Sequence, residues 1–382
     1  MRRVVRSLLI VVLLLLGLWV VEAPRSEEAA LERVARLAEN AVRDGHFPSL
    51  SVAWVAPGEV IWTESYGLAD VADGRAMTPG TPMPIGSISK VLIGQAATQE
   101  AVAGRFDLDA PLGTYWAEAP PTVAQMTFRA LATHTSGLRD TEAGYEEAAY
   151  HFGALTHPVA LEDFLTAYLT PGGALNSADV LPEPGAHGYS NVGAALAAHA
   201  LAQATNTPFE ELSLKALAPL GLAATWDAAT LQGRAALHED KDGFQALSPY
   251  ALATWPDGGL NASLEDLAKL LAAFMGGGRL NGTEVLPAAA VTLQRKKHAT
   301  PTETLSEGLF WAHEKIDLPG LSLAVEGHSG GDPGLITMMY RIAGSDRGFV
   351  LMVNGYRDSG WTLAQAARIL FNLKRAADLS AR

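Results

Sequence analysis

Ser87 and Lys90 stand three positions apart at the start of an apolar stretch that runs to Ala103. Residues at that spacing share a helix face, so on a helix the Lys90 amine reaches the Ser87 hydroxyl. A serine hydroxyl is a weak nucleophile until a neighbouring base takes its proton. Lysine can be that base only where burial disfavours its charge and lowers its pKa. A helix beginning at Ser87 adds free N–H groups and a positive dipole end beside the bond under attack. The same spacing occurs on solvated helices, so the pair acquires meaning only in company.

Two further clusters supply that company. Tyr189-Ser190-Asn191 follows Pro184-Gly185-Ala186-His187-Gly188 and precedes an apolar segment, Val192 to Ala204. Taken alone, its Ser and Asn also suit a turn that caps the next helix. His328-Ser329-Gly330-Gly331 follows a strand-like run, Leu321 to Glu326. In this order the three elements resemble those of the serine β-lactamase and penicillin-binding-protein superfamily, on its class C side. Thr127 to Leu138, Pro219 to Leu222 and Gly258 to Ser263 resemble its other landmarks, so the likeness spans roughly residues 31–373.

The resemblance implies roles. Ser87 would form an acyl-enzyme that water hydrolyses, with Lys90 keeping its hydroxyl activated. Tyr189 would shuttle the proton to the leaving group, and Asn191 would hydrogen-bond Lys90 and a substrate amide. Whether Lys90 or Tyr189 takes the first proton stays open. The backbone N–H groups of Ser87 and Gly331 would form the oxyanion hole, within the substrate-side strand His328, Ser329, Gly330 and Gly331. The implied protein is a serine hydrolase of small esters or amides, of the carboxylesterase or D-amino-acid peptidase kind. The alternatives are a class C β-lactamase or D,D-carboxypeptidase, and a non-catalytic sensor or scaffold.

His328 departs from the Lys-Thr-Gly common in β-lactamases and resembles the D-aminopeptidase and esterase branch. Histidine is largely neutral at pH 7, and an unperturbed one changes charge between about pH 5 and 8, so carboxylate-bearing substrates are disfavoured. Gly327 to Gly331 also fits G-x-S-x-G, but that nucleophile elbow needs a histidine later in the chain, and none follows His328. His134, Trp311 and His313 read as structural. No ligand spacing for a metal is present, and no cofactor is implied.

These residues must be held by a scaffold. Helical periodicity over Glu27–Arg43 is followed by a hairpin, Ser49–Val55 and Val60–Thr63, around Pro57-Gly58. Strand patterns return at Gly308–Trp311, Leu321–Glu326, Leu335–Arg341 and Gly348–Val353, and a helix runs from Gly360 to Leu373. The expected fold is α/β (α+β): an antiparallel sheet built from both ends of the chain and flanked by helices, with a mostly helical lobe inserted over about 105–275. Residues 138–184 should shape the pocket, and the acidic run from Asp140 to Glu147 should disfavour anionic substrates. Residues 25–376 would form the domain and 377–382 a tail. A net charge of −13 argues against nucleic acid, and the absence of cysteine excludes thiol chemistry. Arg2, Arg3 and Arg6 precede an uncharged apolar run over residues 7–21. That run is short for a full span and suits a signal peptide or membrane anchor within residues 1–24, which makes the chain exported or periplasmic.

Overall fold

The computed structural model describes residues 24–318 and 320–381; the apolar run at 7–21 lies outside them. Helix α1 (Glu27–Arg43) opens with Ser26, whose hydroxyl accepts from Ala29 N at 3.2 Å, and carries Glu27 and Glu28 in its first turn, where acids suit the dipole. The hairpin β1 (Ser49–Ala56) and β2 (Glu59–Asp70) follows, then the short β3 (Arg75–Ala76). Between β3 and the next strand of the large sheet the chain builds α2 (Lys90–Val102), α3 (Phe128–Ala132), α4 (Leu161–Leu169), α5 (Asn191–Thr205), α6 (Phe209–Leu217), α7 (Leu264–Met275) and α8 (Ala288–Arg295). Strands β4 (Ser306–Glu307), β5 (Ala312–Leu318), β6 (Leu321–Asp332), β7 (Leu335–Ile342) and β8 (Gly348–Val353) then complete the sheet, and α9 (Gly360–Ser380) closes the chain.

The sheet order is β4-β5-β6-β7-β8-β1-β2-β3, antiparallel at each pairing. The two ends of the chain meet where Leu50 faces Val353 and Trp54 faces Phe349. One sheet face is covered by α1 and α9 over Val34, Trp54, Phe349 and Leu373. The other packs against α7 and the lobe through Ala53, Val91, Phe274 and Val350.

Four boundaries depart from the sequence reading. Gly308–Trp311 is a buried turn with Phe310 at φ +52°, its apolar residues plugging the core instead of extending a strand. The strand beside it is β5, whose mixed polar sequence hid it. Helix α9 runs to Ser380 with Ala376 and Ala377 buried, so residues 377–380 continue a helix instead of forming a tail. Helix α7, placed in the inserted lobe, already packs on β1, β2 and β8. The third cluster stands on β6 itself, which continues to Asp332.

Candidate active site

Ser87 lies in a tight turn of 3₁₀ helix, Gly86–Ser89, that leads into α2. Lys90 begins α2 and is fully buried. Its Nζ contacts Ser87 Oγ at 3.0 Å, donates to Asn191 Oδ1 at 2.7 Å, and donates to the backbone carbonyl of Asp257 at 2.7 Å. Asn191 Oδ1 and the Asp257 carbonyl can only accept. An ammonium therefore uses all three protons here, whereas a neutral amine would keep two donations and turn its lone pair to Ser87. Burial alone would lower the Lys90 pKa, but Tyr189, Asp257 and Asp140 more than offset it and the net direction is up. The expectation that burial lowers it is corrected: the surrounding acids hold the resting lysine charged.

Tyr189 and Asn191 are brought to the same point by the start of α5. Ser190 Oγ caps that helix by accepting from Gly193 N at 2.9 Å. Asp140 grips the turn from outside, accepting from Ser190 Oγ at 2.9 Å, Asn191 N at 2.8 Å and Val192 N at 3.1 Å. His134, at φ +53°, lies against the Tyr189 ring with centroids 4.4 Å apart, and its Nδ1 accepts from Ser190 N at 3.3 Å. Burial, aided by Lys90, drives the His134 pKa well down, so this histidine is a neutral prop. Tyr189 keeps 45% of its surface exposed, yet desolvation at its phenol outweighs the pull of Lys90 and Ser87 and raises its pKa. Its hydroxyl end belongs to the cluster, hydrogen-bonded with Lys90 and Ser87.

Strand β6 passes so close to the nucleophile turn that only glycine fits at two points. A Cβ on Gly330 would lie 2.3 Å from Ile85 O and 3.0 Å from Ser87 N. Gly86 has φ +55°, and a Cβ there would meet Gly331 N at 3.3 Å. The backbone amides of Ser87 and Gly331 thus stand beside each other, next to the Ser87 hydroxyl. Thr337 on β7 ties the two segments by donating to Ile85 O at 2.8 Å. Ser329 stands mid-strand with its hydroxyl near the Tyr340 phenol, whose pKa burial and Glu314 drive well up in spite of it; it is part of no nucleophile elbow.

His328 is buried, with its ring 6.3 Å from that of Tyr189. Its Nδ1 donates to the carbonyl of Ser329 at 2.6 Å, which leaves Nε2 as a bare acceptor. Burial and the Lys90 charge push its pKa down to about 4. The charge change expected between pH 5 and 8 is therefore displaced below that range, and the ring is neutral throughout it.

Beyond Ser87 opens a cavity of about 410 Å³ lined by Asn191, Tyr145, Glu146, Asp257 and Asp332 among others. Tyr145 and Glu146 come from the stretch expected to shape a pocket. Asp257 and Asp332 escaped the sequence reading, although each adjoins a cluster it used, Gly258 to Ser263 and His328 to Gly331. Asp257 is 1% exposed; Tyr145 makes a long contact with its carboxyl, 3.4 Å, and Thr254 also hydrogen-bonds to it. Desolvation, partly offset by Lys90, pushes its pKa up to about 7. Asp332 accepts from Tyr150 at 2.5 Å through Oδ1, and desolvation lifts it to about 6.

A serine at a helix start, a buried lysine one turn on and a glycine-rich strand laid across both define an active-site serine fold. The chain belongs to the Beta-lactamase family, whose family model matches residues 34–370, a family of serine hydrolases. It is similar to the human mitochondrial serine beta-lactamase-like protein LACTB, 36% identical over 112 residues, which are 27% of this chain and 20% of that protein. The matched part thus spans about a fifth of that relative's length. Among solved structures it shares its fold with the D-amino acid amidase of Ochrobactrum anthropi SV3, at TM-score 0.71 and 22% identity, covering 91% of this chain and 99% of that one. A class C beta lactamase from Rhodobacter sphaeroides superposes at TM-score 0.69 and 20% identity, covering 90% and 98%.

Proposed function

We propose that this chain hydrolyses a small ester or amide through an acyl-enzyme on Ser87. The observation that carries the reading is Lys90 Nζ, held at once by Ser87 Oγ, Asn191 Oδ1 and the Asp257 carbonyl. Once the Lys90–Tyr189 pair has released one proton to solvent, Ser87 Oγ attacks the substrate carbonyl and its proton passes to the vacated position on that pair. The developing oxyanion is met by the Ser87 and Gly331 amides. As the bond to the leaving group breaks, Tyr189 returns a proton to it; water then cleaves the acyl ester and restores the serine. Lys90 and Tyr189 both have pKa values moved upward, so the resting pair holds one proton more than the base form needs.

The neutral His328 supports substrates without a carboxylate at that position, which favours the esterase or amidase reading over β-lactam hydrolysis. The test is Ser87→Ala, which should lower turnover of a neutral p-nitrophenyl ester by about 10⁴- to 10⁶-fold and abolish labelling by a fluorophosphonate. Retention of more than a tenth of the activity would remove Ser87 from its role. We also infer export, on the strength of Arg2, Arg3 and Arg6 before the uncharged run at 7–21. Recovery of the full-length chain solely in the cytoplasm of a bacterial host would refute it.

A further inference from the structure

Away from Ser87, Arg234 is a cation set into the protein without an acid beside it. The backbone that follows it is pinned, Ala235 N to Pro82 O and Ala236 N to Ala69 O, both at 2.9 Å. The side chain therefore leaves from a fixed point. Its Nε donates to Asn261 Oδ1 at 2.9 Å, and Asn261 Nδ2 donates in turn to Gly259 O, which keeps the amide oxygen turned to the guanidinium. The two terminal nitrogens of Arg234 have no hydrogen-bond partner among the described residues, and no carboxylate there pairs with it. A guanidinium stays charged in a protein, and a largely buried charge is costly until something completes it.

A second orphan lines the same space. Tyr250 is 8% exposed, and its hydroxyl has no hydrogen-bond partner among the described residues, although a buried phenol ordinarily finds one. Arg234 and Tyr250 both line a compartment of about 20 Å³, room for little more than one water-sized group. At Arg234 and Leu155 it meets a chamber of about 210 Å³ walled by Leu237, Leu247 and Pro249. That chamber reaches the surface at the exposed Ser248 and Pro249. Asp70 also lines it, but its Oδ1 already accepts from Ala72 N and Asp73 N. Neither space shares a lining residue with the cavity beside Ser87. Tyr250 and Tyr150, with rings 5.5 Å apart, stand between them.

We propose that these joined spaces are a second binding site, for an aliphatic carboxylate, separate from the catalytic cavity. The Arg234 terminal nitrogens and the Tyr250 hydroxyl hold the head, and the hydrocarbon chain lies in the outer chamber against Leu237, Leu247 and Pro249. A planar head with two oxygens matches the guanidinium fork, and the inner compartment is small for a tetrahedral phosphate. The assignment asks nothing of Ser87 and stands or falls apart from the hydrolase reading.

The test is calorimetric titration of the full-length protein with hexanoate, hexanamide and inorganic phosphate. Hexanoate should bind one to one, and the neutral amide and phosphate about 10- to 100-fold more weakly. Arg234→Gln should weaken hexanoate by a similar factor. Tyr250→Phe removes one unpartnered hydroxyl, so it should weaken hexanoate about 3- to 10-fold while the unliganded protein melts no lower. This second variant decides the matter if Arg234→Gln fails to fold. No saturable binding of hexanoate by the wild type would leave the compartment to water and overturn the proposal. So would amide or phosphate binding as tightly as hexanoate. Unchanged hexanoate affinity in either variant would place the carboxylate elsewhere, and a markedly lower melting temperature in Tyr250→Phe would show the hydroxyl already paired; each overturns it too.

Discussion

Around Lys90 the polar groups are held by several short hydrogen bonds at once, whereas the carboxyls of Asp257 and Asp332 in the cavity wall are held mainly by tyrosine and threonine hydroxyls and are hard to ionise. Lys90 is held by three acceptors, and the turn bearing Tyr189 and Asn191 is locked by Asp140 from three donors. Asp257 has a long contact from Tyr145 and a hydrogen bond from Thr254. The difference separates two tasks. A fully paired cluster is rigid and performs the same proton transfers whatever the substrate, so its geometry is fixed before binding. The wall carboxyls, with pKa values raised to about 7 and about 6, answer to pH instead.

The sharpest way to break this contrast is to disturb the paired side. Lys90→Arg should cost about 10²- to 10⁴-fold in kcat, nearly as much as Lys90→Ala, since guanidinium cannot give up its proton and cannot meet three acceptors converging on one nitrogen. A near-normal kcat in the arginine variant would show that the convergence on Nζ has no catalytic meaning. A smaller effect is expected at the leaving-group side. Turnover of nitrocefin, which carries a carboxylate, should be far below that of a neutral p-nitrophenyl ester at pH 7.5. His328→Lys should raise the ratio by about 10- to 100-fold through one charge-assisted contact. No change in that ratio would mean that position 328 does not face the substrate.

The buried carboxyl of Asp257 should show itself in stability. Folding raises Asp257 from 3.8 to about 7, so between these values the native state holds a proton that the unfolded chain has released. Stability is then lost as pH rises through that window. Asp257→Asn removes the titration and should stabilise the protein by about 1–3 kcal/mol at pH 8, with little gain near pH 4. Thermal unfolding of both proteins at the two pH values reads this directly. A pH-independent difference would show that Asp257 is adequately paired.

How much of this was legible in the sequence follows from how local each signal is. Helix α1 has its cap, charges and apolar stripe within Ser26 to Arg43, and it forms over the residues the periodicity marks. Ser87, Lys90, Tyr189, Asn191 and the His328–Gly331 run come together because each sits in a recognisable local pattern. Asp257 and Asp332 went unread, and Asp140 was read only as part of an acidic run and not as the clamp on the Tyr189 turn, because an aspartate in a loop or at a strand end looks like any solvated acid. Their meaning comes from partners far away in sequence, such as Tyr150 for Asp332, 182 residues off. Strand β5, Ala-His-Glu-Lys-Ile-Asp-Leu, lacks a clean apolar alternation, and β4 beyond it pairs over only two residues. The buried turn at Phe310 mimicked a strand because apolar content marks burial and not backbone direction.

The bond from Thr337 to Ile85 joins residues 252 apart in the chain, and the central strand β1 lies between β2 and the last strand made, β8. During synthesis the turn bearing Ser87 leaves the ribosome long before the strand that places Gly331 beside it. Non-local closure of this kind slows folding and leaves sheet edges open meanwhile. It also means that the growing chain lacks the Gly331 amide beside Ser87 until its C-terminal strands have added to the open edge of β1.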